Sequence, residues 1–146
     1  MGVFSAMNVA ATGMTAQQFR MDIISENIAN ASTTRTKDGG AYRRKTVVFT
    51  EKDTTSFDRI LNGYLGYYKP NGVKVTQVVE DPSDLRLVYE PDNPDANEDG
   101  YVEYPNVDTV TEMTNLIDSS RAYEANITAF NAAKSMASKG LELFRS

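Results

Sequence analysis

The chain has 146 residues, a net charge of −5, and neither histidine nor cysteine. It therefore has no disulfide, no thiolate nucleophile, no imidazole base and few routes to a zinc site. The acidic balance argues against a general nucleic-acid binder, since phosphate affinity comes from clustered Lys and Arg.

With 40% hydrophobic and 24% charged residues, the composition fits a folded domain rather than a disordered chain. The first basic residue is Arg20, and Asn8, Gln17 and Gln18 interrupt the apolar residues around it. A cleaved leader is not expected, and no stretch reaches the roughly 18 apolar residues of a membrane span.

A first helix is predicted from Ser5, a candidate N-cap, to Asn30. Val3, Met7, Ala10, Met14, Gln17, Met21, Ile24 and Ile28 alternate at spacings of four and three, a heptad seam that asks for a partner helix. Met7, Met14 and Met21 form a stripe of adaptable core side chains. Gly13 costs such a helix roughly 1 kcal/mol relative to Ala, so packing must hold it. Asn27 and Asn30 lie three apart on one face, suited to C-capping and turn formation.

A polar linker over 32–41 ends in Gly39-Gly40, and a strand is predicted over Tyr42–Thr50. Residues 51–71 fit no single element; Asn62-Gly63 and Asn71-Gly72 mark turns. Val73, Val75 and Val79 predict a second strand and Leu85–Tyr89 a third, joined by the Asp81-Pro82-Ser83-Asp84 turn. Glu90–Glu103 is acidic, and with Pro91, Pro94 and Pro105 around it is expected to be irregular. Asp95-Ala96-Asn97-Glu98-Asp99-Gly100 has the opening of a calcium loop, but Asn106 stands where the bidentate Glu would be. Arg43, Arg44 and Lys45 are candidates for pairing with this acidic segment on an adjacent subunit.

The last helix starts near Thr109, where Thr109-Val110-Thr111-Glu112 has capping-box spacing, and runs to the chain end. Its seam is Met113, Leu116, Ser120, Tyr123, Ile127, Phe130, Lys134, Ala137, Leu141 and Phe144. Phe4, Phe19, Ile117, Met136 and Leu143 lie off both seams and would face water in a two-helix hairpin. That surplus favours burial between chains.

Three strings carry a resemblance: Ser25-Glu26-Asn27-Ile28-Ala29-Asn30-Ala31, the run from Gly72 to Pro91, and Asp99-Gly100-Tyr101-Val102-Glu103-Tyr104-Pro105-Asn106-Val107-Asp108. With them the chain resembles the flagellar basal-body rod proteins of the rod and hook axial family. Its length is similar to that of the proximal-rod members rather than the longer distal ones. Asn93-Pro94 departs from the family's frequent His-Pro.

The resemblance implies an α+β fold, with long terminal helices paired as an antiparallel coiled coil and a small central β-rich domain. In that division, residues 1–31 and 107–146 form the helical assembly domain and 32–106 the linker and β domain. It implies a structural rod subunit that partners copies of itself and other flagellar rod proteins. It also implies export through the flagellar type III apparatus, a periplasmic place in the basal body, and transmission of motor torque.

The expected assembly residues are Val3, Met7, Met14, Met21, Ile24, Asn27, Ile28, Asn30, Met113, Leu116, Tyr123, Ile127, Phe130, Leu141 and Phe144. No cofactor, metal, nucleic acid or small-molecule substrate is expected, and no catalytic residue. The alternative is a secreted or cytoplasmic helical binding module linked to calcium; an enzyme finds no motif.

Overall fold

The computed structural model describes residues 2–37, 39–52, 56–66 and 71–143. The elements run α1 (Val3–Ala29), β1 (Lys45–Glu51), α2 (Ser56–Leu65), β2 (Val73–Glu80), β3 (Arg86–Tyr89), β4 (Tyr101–Tyr104) and α3 (Thr109–Leu143). β1 pairs with β2 and β3 with β4, giving two two-stranded sheets. The class is α+β, with a long helix at each end.

The helix starts differ from the sequence expectation for local reasons. The Gly2 carbonyl accepts from the Ser5 and Ala6 amides, so α1 begins ahead of Ser5, which is not the cap. At α3 the N-cap is Asp108: its carboxylate accepts from the Val110 amide and the Thr111 hydroxyl at 3.1 and 2.6 Å. Glu112 does not reach back to close a capping box. Asn30 does close α1, donating from its amide to the Glu26 carbonyl at 2.9 Å and accepting from the Thr33 hydroxyl at 3.1 Å.

The chain divides into two compact units. One comprises Met1–Phe19, Phe49–Thr76 and Ser119–Ser146; the other comprises Arg20–Val48 and Gln77–Asp118. In the first unit, Gly13 is explained by a close approach: a Cβ there would lie 2.6 Å from Oδ1 of Asn126. The helix gives up propensity to let the α3 side chain onto its backbone. At Gly72, φ is +87°, and a Cβ would collide with the Thr12 hydroxyl, which accepts from the Val73 amide at 3.2 Å. Thr12 thus fixes the start of β2 on α1.

In the second unit, β3 and β4 are antiparallel, with Val88 opposite Val102 and Tyr89 opposite Tyr101. Val102 is buried, whereas Leu87, Tyr89 and Tyr101 are exposed, as strand alternation requires. The acidic segment is therefore irregular only as far as Gly100. There φ is +79°, and the chain turns into a strand that the prolines, at 91, 94 and 105, do not touch.

The region 51–71 contains a helix. Within α2 the residues Asn62-Gly63 are helical rather than a turn. No helix among the described residues is long and apolar enough to cross a membrane.

Candidate assembly site

The second unit is built around Asn27. Its Oδ1 accepts from the Lys45 amide and the Tyr42 hydroxyl, both at 2.9 Å. Its Nδ2 donates to the Lys45 carbonyl at 2.8 Å and to Oε2 of Glu112 at 3.0 Å. One amide thereby ties α1, the start of β1 and the first turns of α3.

Glu112 is wholly buried, at 0% exposure. Its Oε1 accepts from Nε and Nη2 of Arg44 at 2.9 and 2.7 Å, and from the Asn115 amide at 3.1 Å. Arg44 also reaches Asp81 at 3.3 Å, and Lys45 pairs with Glu26 at 2.7 Å. Asn106 extends the network, accepting from the Arg44 amide at 2.8 Å and donating to the Ser83 hydroxyl at 2.8 Å. A buried charge of this kind holds only when its partners are complete, and here they are.

The network sets its own titration. Burial pushes the Tyr42 hydroxyl up to about 12, and the carboxylates of Glu26, Glu112 and Glu80 add to it. Burial works against the Arg44 charge, but Glu112 outweighs it and, with Asp81, holds the guanidinium above its ordinary value. The Ser83 amide and hydroxyl, then Arg44, hold the Asp81 carboxyl below the ordinary carboxylate range.

The basic triplet is thus engaged within its own chain. Arg43 donates to the Ser83 carbonyl at 3.2 Å, while Arg44 and Lys45 pair with Glu112, Asp81 and Glu26. Pairing with the acidic segment of another subunit is not where these side chains point. In the acidic loop, Asp95 accepts from the Thr34 hydroxyl at 2.9 Å and meets Arg35 at 3.4 Å. Asn97 accepts from the Asp99 and Tyr101 amides at 3.1 and 2.8 Å. Both are engaged by their own chain.

Burial along each helix separates the expected seam residues into two lines. On α3, Leu116, Tyr123, Phe130 and Ala137 are half-buried, but the companion line is Glu112, Ser119, Asn126, Ala133 and Gly140, with Glu112, Ser119 and Ala133 fully buried. The expected companion line lies one residue further on: Met113 is 51% exposed, Leu141 is exposed, and Ile127 is half-buried.

On α1 the pattern repeats. Ala10 and Ile24 are buried and Val3 is half-buried, while Asn27 and Gly13 make the close contacts beside Met7, Met14, Met21 and Ile28, all half-buried. Gly13 and Asn27 are fourteen residues apart, as are Asn126 and Glu112 in the opposite chain direction. Phe144 lies outside the described residues.

Apolar surface is distributed the wrong way round for a self-sufficient domain. Among the described residues six hydrophobic side chains are buried and nineteen large hydrophobics are exposed, Phe4, Phe57, Tyr64, Val110 and Leu143 among the most open. Gln17 carries a buried amide oxygen with no hydrogen-bond partner among the described residues.

A chain with a long helix at each end, a small β insertion and, among the described residues, more large apolar side chains exposed than buried has the build of an axial assembly protein. The family model described as "Flagella basal body rod protein" matches residues 7–37, and "Flagellar basal body rod FlgEFG protein C-terminal" matches 98–143. The chain is 48% identical to the flagellar basal-body rod protein FlgC of Bacillus subtilis, over 98% of this chain and 99% of that protein. It is 45% identical to FlgC of Borreliella burgdorferi over 99% of both, and 40% identical to FlgC of Escherichia coli O157:H7 over 98% of both. The chain belongs to the FlgC family of flagellar basal-body rod proteins and is a structural subunit of the rod.

Proposed function

We propose that this chain is a subunit of the proximal rod, assembling helically with copies of itself and with other rod proteins to carry motor torque. The terminal helices, 1–31 and 107–146, are the assembly part, and 32–106 the smaller β-rich part. The observation that carries this is the imbalance, among the described residues, between nineteen exposed large apolar groups and three buried ones, Ile24, Tyr42 and Val102, which further chains would cover. The half-exposed flanks of the seams (Met7, Met14, Met21, Met113, Ile127 and Leu141) supply surface that a neighbouring helix can bury. The family's place in the basal body supports the flagellar type III apparatus as the export route.

The test is complementation of a Bacillus subtilis strain that lacks its own FlgC. Restored swimming, and loss of it when Met7, Met14 and Met21 are all changed to Ser, is the expected result. Swimming that survives the triple change contradicts the assembly role of the stripe.

A further inference from the structure

Two Asn-Gly pairs lie in the unit that contains α2, and the fold treats them differently. Asn62-Gly63 is inside α2, the helix whose Phe57, Ile60, Leu61, Tyr64 and Leu65 form one exposed apolar stripe. Gly63 is its eighth residue, so the helical pattern commits its amide to the carbonyl four residues back. Asn71-Gly72 stands just ahead of β2, outside any helix or strand. Among the described residues, neither the Asn71 carboxamide nor the Gly72 amide has a hydrogen-bond partner.

The surroundings of this second pair are well defined. The Gly72 carbonyl accepts from the Lys52 amide at 2.9 Å, and the Val73 amide donates to the Thr12 hydroxyl at 3.2 Å. An open groove lined by Thr12, Phe19, Lys52, Val73 and Val75 runs alongside. Asn71 and Gly72 are themselves only half-buried, so solvent reaches the bond between them.

We propose that Asn71 is a site of spontaneous backbone modification in the folded chain, and that α2 shields Asn62 from the same reaction. The Gly72 nitrogen attacks Cγ of Asn71 and gives up its proton, and the side-chain nitrogen leaves as ammonia. A succinimide ring then joins the two residues. Water opens it in one of two ways. Breaking the bond from nitrogen to Cγ leaves aspartate, and breaking the bond to the main-chain carbonyl carbon leaves isoaspartate. The attack needs a nitrogen that no carbonyl holds, and a following residue without a Cβ to crowd the ring. Gly72 supplies both, whereas Gly63 supplies only the second.

Both products alter the contact between α1 and β2. Each places a carboxylate where a neutral amide stood, and isoaspartate also lengthens the main chain by one methylene. Space at that point is tight, since a Cβ on Gly72 would collide with the Thr12 hydroxyl. The longer chain therefore draws the Val73 amide away from Thr12. The converted fraction grows with the age of the chain whatever it assembles with, so the inference stands apart from the rod-subunit reading.

Peptide mapping by tandem mass spectrometry tests this on the full-length chain, held in mildly alkaline buffer with and without urea. In buffer Asn71 should convert about tenfold faster than Asn62, a modest factor of the size one helical hydrogen bond puts on a rate. In urea the two should convert at similar rates. Isoaspartate formed in buffer should take a methyl label from an isoaspartyl methyltransferase, and Asn71→Gln should remove most of that label. Equal rates at the two sites in buffer, or faster conversion at Asn62, overturn the proposal. So does an Asn71 that stays intact in buffer while it converts in urea, and so does a label that survives Asn71→Gln.

Discussion

The two compact units solve the burial problem in opposite ways. In the unit of Arg20–Val48 and Gln77–Asp118, a polar network is complete: Asn27, Glu112, Tyr42 and Arg44 satisfy one another within a single chain. In the unit containing α2, the prominent features are unfinished: a stripe of five exposed apolar side chains, an open groove and a buried Gln17 oxygen without a partner among the described residues. A buried hydrogen-bonded cluster demands one geometry and so fixes how α1 and α3 meet at that end. An exposed apolar face demands only cover, which another chain can provide. On the proposed assembly reading, specificity within the chain and adhesion between chains fall to different residues.

The comparison breaks first at Glu112. Replacing Glu112 with Ala leaves the Arg44 guanidinium with Asp81 as its one acidic partner and takes one acceptor from the Asn27 amide, and should cost about 3 kcal/mol of unfolding free energy. Urea unfolding of the purified chain measures it. A loss comparable to a surface substitution, about 0.5 kcal/mol or less, would show that the network is not what holds this unit.

Next is a pH dependence at the alkaline end. Tyr42 titrates near 12 in the folded chain against an ordinary value of 10, so its stabilisation is full below pH 10 and declines as pH rises towards 12. The sign follows from linkage: above pH 10 the unfolded chain sheds this proton first. The loss approaches about 3 kcal/mol at 1.36 kcal/mol per unit. Tyr42→Phe should remove that slope while lowering stability at neutral pH by about 1 kcal/mol.

A smaller effect sits at Gly13. Gly13→Ala gains about 1 kcal/mol in helix propensity but must displace the Asn126 amide, at a cost of roughly 1–3 kcal/mol. Thermal unfolding should show a net loss that Asn126→Ala, made in the same chain, reverses. The smallest effect is at acid pH. Asp81 is held below its ordinary 3.8, so its contribution is present above that value and fades as pH falls through the folded one. Asp81→Asn should flatten the acid limb by less than ~1 kcal/mol, since the pair is partly in water.

What the sequence makes legible, and what it hides, follows from the same division. The lines Val3-Ala10-Gln17-Ile24 and Leu116-Tyr123-Phe130-Ala137 are largely apolar, and a heptad scan finds them. Their companions are Gly13 and Asn27 on α1, and Glu112, Ser119 and Asn126 on α3, which such a scan rejects as polar or small. It slides instead to the adjacent Met7, Met14, Met21 and Met113.

Glu112 hides a second time, because its spacing from Thr109 imitates a capping box. Gly13 was the available clue: an uncompensated glycine in a long helix marks close approach. The helix α2 is obscured by Asn62-Gly63, a turn signal that the stripe from Phe57 to Leu65 overrides.

Hydrogen exchange on the full-length chain tests the division most directly, in dilute solution and again within isolated basal bodies. Amides around Asn27, Lys45 and Glu112 should be protected in both states, whereas those of α2 exchange fast in dilute solution and slowly in the rod. Protection of α2 in the dilute chain equal to that in the rod would contradict the account.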